Sequence, residues 1–200
     1  MVASKPRLWI IAGPNGCGKS TAYSRSEISE LDGSVWIINP DELTLRIHET
    51  EGLNLPDANL EAVNRIEAWL ESSIQVHQTI GVETVLSTPK YRRLVERAKG
   101  LGFEIRLIYV IVESAELQIE RVRLRVKKGG HHVPDDKVRT RRTRSLEQLR
   151  WFFDQSDYCL IYDNSTSTPK MMVELQGDII RINREASDDI LRAIDIWPAD

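Results

Sequence analysis

Residues 8–21 read LWIIAGPNGCGKST. Four apolar residues run into a glycine-rich octet, GPNGCGKS, that meets G-x-x-x-x-G-K-[S/T] at every fixed position: Gly13, Gly18, Lys19 and Ser20. The context also fits, because an apolar strand precedes the octet and a helical stretch from Gly18 to Glu30 follows it. Glycines let such a loop turn tightly, so its N–H groups converge on phosphate oxygens. The helix start adds partial positive charge. In this pattern Lys19 reaches the β- and γ-phosphates of a nucleotide, and the Ser20 hydroxyl is the expected Mg²⁺ ligand. Pro14, Asn15, Gly16 and Cys17 complete the cofactor-binding loop, with Thr21 as a weaker neighbour. The loop specifies a nucleotide site and leaves the reaction open.

The 200 residues suit one α/β domain with a full core. Apolar residues at 41% and charged residues at 28% are ordinary for a soluble globular chain. Two cysteines, Cys17 and Cys159, make no disulfide framework, and one sits inside the phosphate loop, which points to a reducing, cytoplasmic setting. The start MVASKPR precedes only four apolar residues, too few for a signal-peptide core, and no later run is long enough to span a membrane.

Strands and helices alternate. Strands are expected at 7–12, 34–39, 81–87, 104–112 and 158–164, and helices at about 57–79, 90–99, 114–127 and 138–155. Leu60, Val63, Ile66, Leu70, Ile74 and His77 give the 57–79 stretch its helical spacing. Ser114 is an expected N-cap, and Gly100 and Gly102 stop the preceding helix. A hairpin turning near Gly177 and Asp178 and a closing helix at 187–196 end the chain. The expected fold is a three-layer α/β/α sandwich around a five-stranded, mostly parallel sheet. It forms a single domain over 1–200, with a core at about 7–165, a lid at about 125–141 and the hairpin and helix at about 166–200. Chemistry then belongs at the carboxyl ends of the strands.

Those strand ends separate the classes that share the loop. A motor or transporter ATPase shows an apolar strand ending in adjacent acids and an LSGGQ-like segment. Here LIYVIVES ends in Glu113 followed by Ser114, and no such segment occurs. No guanine-reading N-K-x-D is present either. INPDEL (38–43) instead follows the second strand directly. Asp41 there is placed to take a proton from a substrate hydroxyl, while Asn-Pro-Asp-Glu is equally a helix start; the two readings are compatible. Glu83 interrupts a strand expected to be buried on both faces. An unpaired carboxylate would be costly there, so it belongs at the functional end, on a substrate hydroxyl or an Mg²⁺-bound water, or else in a salt bridge with an arginine.

Residues 121–150 hold eleven Lys or Arg against three Asp or Glu, a balance of +8, which leaves −11 for the rest of the chain. The segment is helix, glycine-rich break (KKGGHHVPDD), helix. Its charge reads either as a solvated helix face or as a polyanion clamp. As a lid it would carry arginines over transferring phosphates and exclude water. Arg125, Arg139 and Arg141 flank the break. His131 and His132 have no Cys or acidic partner at ligand spacing and read as loop residues.

With these parts assembled, the sequence resembles the zeta-toxin family of P-loop kinases, in particular its short bacterial members. The matching stretches are IAGPNGCGKST (11–21), NPDEL (39–43), ETVLST (83–88), RVKKGGHHVP (125–134), RTRRTRSL (139–146) and IYDNS (161–165). The resemblance implies an adenylate-kinase-like fold with a helical, arginine-bearing lid, and transfer of the γ-phosphate of ATP, with Mg²⁺, to an acceptor hydroxyl. In the best-understood toxins the acceptor is UDP-N-acetylglucosamine, and a small antitoxin holds the enzyme inactive. Carried over, Lys19 and Ser20 are the ATP and Mg²⁺ residues, Asp41 the catalytic base and Glu83 a substrate-site acid. Arg125 and one of Arg139 and Arg141 are the lid arginines. Val85 stands near the place where the toxins carry a threonine. The expected partners are thus a small-molecule acceptor and an antitoxin, with no membrane. Two alternatives belong beside this reading: an RNA- or nucleotide-end kinase that uses the basic segment as a nucleic-acid track, and a non-catalytic ATP-binding regulator. For the first, Trp151, Phe152 and Phe153 are the nearby aromatics, and their spacing also suits a core helix.

Overall fold

The computed structural model describes residues 5–21, 35–130 and 132–196. Its strand β1 (Arg7–Ala12) lies between β3 (Ile80–Thr84) and β4 (Glu104–Ile111), and all three are parallel. The strand β2 (Ile37–Ile38) adds outside β3, and β5 (Tyr158–Asp163) outside β4, both parallel. The expected hairpin, β6 (Lys170–Gln176) and β7 (Ile179–Ile182), joins the same sheet antiparallel through β5. The order is β2-β3-β1-β4-β5-β6-β7. The five parallel strands form as expected, and the hairpin widens the sheet to seven rather than standing apart from it.

Alternation along β1 builds two cores. Leu8, Ile10 and Ala12 face one side, where Ile66 and Leu70 of α2 (Leu55–Gln75), Val95 of α3 (Arg92–Gly100) and Phe152 of α5 (Asp135–Gln155) bury them. Trp9 and Ile11 face the other side with Ile108, Val110 and Cys17, and Leu117 of α4 (Ala115–Lys127) packs there. Helices on both faces of a largely parallel sheet make the three-layer α/β architecture. α6 (Asp188–Ile194) docks Ile190 and Ile194 on the first core.

Several boundaries differ from the sequence expectation. The helix expected from Gly18 is seen only at its start, Lys19–Thr21, the remainder lying outside the described residues. NPDEL starts a helix, α1 (Pro40–Glu51), with Asn39 Oδ1 accepting from the Asp41 and Glu42 amides at 3.0 and 3.4 Å. α2 stops at Gln75. His77 takes a left-handed φ of 54° and stacks on Phe103 at 5.9 Å, because the chain must turn there to enter β3. The buried stripe of α2 runs through Ala58, Ala62, Ile66, Leu70 and Ile74, while Leu60 is 61% exposed. The two alanines let α1 approach closely through Ile47. α5 begins at Asp135, three residues before the expected start, as soon as Pro134 has ended the break. The Ser114 cap and the turn at Gly177 form as expected.

Candidate active site

The carboxyl ends of β1, β2, β3 and β5 converge on one cleft of about 750 Å³. β1 delivers the glycine-rich loop. Gly13 has a φ of 144°, and a Cβ there would meet the Val110 carbonyl oxygen at 2.1 Å, so no other residue fits at this close approach to β4. The Gly13 amide donates to the Thr84 carbonyl at 3.2 Å, which ties the loop to the end of β3.

Beside the loop sits a polar cluster around the buried side chains of Lys19 and Glu83. Lys19 Nζ donates to the Gly13 carbonyl at 2.8 Å and lies 3.8 Å from Glu83 Oε1. Ser20 Oγ and Asn39 Nδ2 both donate to Glu83 Oε2 at 3.2 Å. Among the described residues Glu83 is therefore paired with the glycine-rich loop's lysine and with no arginine. Burial pushes its carboxyl above the ordinary carboxylate range, against the pull of Lys19 and the Ser20 hydrogen bond. Asp41 is exposed in the first turn of α1 and lines the same cleft, so the cap reading of NPDEL and its place at the site coexist. Burial also holds the Cys17 thiol above its usual range, which keeps it protonated.

The basic segment divides into two sets. Arg121, Arg125 and Arg141 line the cleft, and Arg141 Nη1 donates to Asn15 Oδ1 in the loop at 3.1 Å. Arg139 is exposed, pairs with Glu116 on α4 and is not part of the cleft lining. This separates the two arginines that sequence spacing alone left equivalent. Arg123 pairs with Asp135, Arg142 donates to the Val112 carbonyl at 2.7 Å, and Arg150 pairs with Asp154. The first of these joins α4 to α5, the second ties α5 to the end of β4, and the third lies within α5. Val133 is buried with Ile119, Val122 and Val138, so the connection between α4 and α5 carries a small core of its own. His131 lies outside the described residues, and His132 is exposed. Among the described residues no group of three or more His, Cys, Asp or Glu could hold a metal ion, and no helix is long and apolar enough to cross a membrane. Phe152 and Phe153 are buried in the core.

Sequence reasoning missed Arg121 and Asn164. In the sequence Arg121 is one cation among eleven, and Asn164 lies within IYDNS with nothing to mark it. Arg121 donates to the main-chain carbonyls of Asn164 and Ser165 at 2.8 and 3.1 Å. Asn59, Ser87, Thr88, Lys90 and Tyr91 line the end of the cleft nearer α2 and were also unread.

Residues 8–149 match the family described as AAA domain. The chain belongs to that family. A protein of Haemophilus influenzae is 27% identical over 144 residues, covering 68% of this chain and 98% of its own length. Among solved structures, the PezAT chromosomal toxin–antitoxin system of Streptococcus pneumoniae superposes with a TM-score of 0.64 at 16% identity, over 98% of this chain and 79% of that one. The AvrRxo1-ORF1:-ORF2 complex with ATP gives 0.71 at 17% identity, over 90% of this chain and 61% of that one. At such identities the likeness is one of fold, and the fold is that of the P-loop kinases, as the resemblance to zeta-toxin-like sequences implies.

Proposed function

We propose that this chain is an ATP- and Mg²⁺-dependent phosphotransferase acting on a hydroxyl of a small molecule. One observation carries the reading: the glycine-rich loop, Asp41 and three arginines, Arg121, Arg125 and Arg141, all line a single cleft. A cleft of about 750 Å³ lies within the ordinary range for small-molecule sites. In this reading the loop amides and Lys19 hold the β- and γ-phosphates. Arg125 and Arg141 neutralise charge on the transferring group, with guanidinium forks matched to phosphate oxygens. Asp41 accepts the acceptor hydroxyl proton, the hydroxyl oxygen bonds to the γ-phosphorus, and the bond to the bridging oxygen breaks to release ADP. Ser20 Oγ and Glu83 are hard oxygen donors side by side at the loop, and such a set suits Mg²⁺, which binds few protein oxygens and keeps its waters. When bound, the ion would offset charge on the phosphates.

A nucleotide-sugar such as UDP-N-acetylglucosamine is the acceptor that the zeta-toxin resemblance favours, and the fold shared with a toxin–antitoxin system favours an antitoxin partner. Two buried free thiols fit a cytoplasmic setting. The RNA-end alternative has less support, because Arg123, Arg139, Arg142 and Arg150 are engaged in contacts within the fold and Phe152 and Phe153 are buried. Incubation with ATP, Mg²⁺ and a panel of sugar nucleotides, nucleosides and RNA ends, with products weighed by mass spectrometry, tests the reading. A phosphorylated small molecule is expected.

A further inference from the structure

The phosphate loop works only if its N–H groups point into the cleft, which requires the carbonyls of the same peptide units to point outward. An outward carbonyl buried in protein needs its own donor. The Cys17 carbonyl has one: Asn164 Nδ2, at 2.8 Å, from the residue that follows β5. Asn164 is only 6% exposed. Its amide donates to the Ile111 carbonyl at 2.8 Å and its carbonyl accepts from Arg121, so β4 and α4 hold it from both sides. The next residue of the loop, Gly18, has a φ of 81°, and a Cβ there would lie 2.4 Å from Asn164 Nδ2.

We infer that Asn164 is a positioning residue for nucleotide binding: by pinning the Cys17 carbonyl outward it turns the Gly18 N–H of the same planar peptide inward, toward the phosphates. C=O and N–H of one trans peptide point in opposite directions, so fixing one fixes the other. The inference rests on the proposed nucleotide site but not on any acceptor or on catalysis.

Asn164→Asp is nearly isosteric and replaces the donor with an oxygen facing another oxygen. At pH 8 the variant should bind ADP at least about tenfold more weakly than the wild type, as expected when a buried carbonyl loses its donor. Burial raises the pKa of the substituted carboxyl, and its protonated form can again donate. The ratio of variant to wild-type affinity should therefore recover toward one at pH 5.5. Asn164→Ala should show a comparable loss at pH 8 with no recovery on acidification. A role limited to packing would give no such recovery. Calorimetric titration with ADP, with folding checked by circular dichroism at both pH values, reads all of this. Wild-type affinity for Asn164→Asp or Asn164→Ala at pH 8, or a loss in Asn164→Asp that persists at pH 5.5 in folded protein, overturns the inference. Failure of the wild type itself to bind ADP would instead overturn the nucleotide site.

Discussion

Ser20 Oγ donates to Glu83 Oε2 at 3.2 Å, and Lys19 Nζ lies 3.8 Å from the other oxygen of the same carboxylate. One acid from β3 thus touches both side chains that the glycine-rich motif supplies. Burial raises its pKa in the folded chain. A raised carboxyl binds its proton more tightly folded than unfolded. Its stabilising contribution is full below the unfolded pKa, about 4.3, and is lost as pH rises through the folded value. Glu83→Gln removes that loss. Thermal melts of the nucleotide-free protein should show the variant gaining stability relative to wild type as pH is raised from about 4.5 to 8. A difference that stays flat across that range contradicts the assignment.

Arg141 reaches Asn15 of the loop, whereas Arg139 pairs with Glu116 outside the cleft. Arg141→Ala should lower kcat for phosphate transfer by about a hundredfold or more, the scale on which transition-state cations act. Arg139→Ala should stay within about twofold, since exposed ion pairs contribute little. Steady-state kinetics of the two variants side by side decides the matter, and equal losses would remove the distinction.

Gly130 packs under Arg125. A Cβ there would lie 2.6 Å from Arg125 Cγ and 3.1 Å from the Arg125 carbonyl oxygen. Gly130→Ala should therefore displace the arginine stem and lower kcat about tenfold or more if Arg125 faces the transferring phosphate. In an Arg125→Ala background the same substitution should cost almost nothing, which a double-mutant cycle measures.

On α2, Leu70 is buried against the sheet and Leu60 is mostly exposed. Leu70→Ala should cost about 2–5 kcal/mol of unfolding free energy, and Leu60→Ala well under about 1 kcal/mol. Urea unfolding followed by circular dichroism checks both.

Much of this architecture was legible in the sequence because each signal had a local cause. The loop motif names its own geometry, continuous apolar runs mark buried parallel strands, and Ser114 and Gly177 punctuate by cap and turn chemistry. Contacts between distant segments were not legible. Leu60 fitted the helical period as well as Ala58 and Ala62 did. Only the arrival of α1 makes the small residues the buried ones. Arg139 and Arg141 are two positions apart in sequence, so charge and spacing treat them alike, and the rotation of α5 separates them. Asn164 and Cys17 are 147 residues apart, and no pattern in a single sequence couples them.

Asp41, at the amino end of α1 and lining the loop's cleft, is the group on which phosphate transfer turns in this account. The most direct measurement compares wild type and Asp41→Asn for ADP affinity by calorimetry and for transfer from ATP to whichever acceptor the panel identifies. Transfer by Asp41→Asn should fall about a hundredfold or more while ADP affinity stays within about twofold. Full transfer activity in Asp41→Asn would contradict the account.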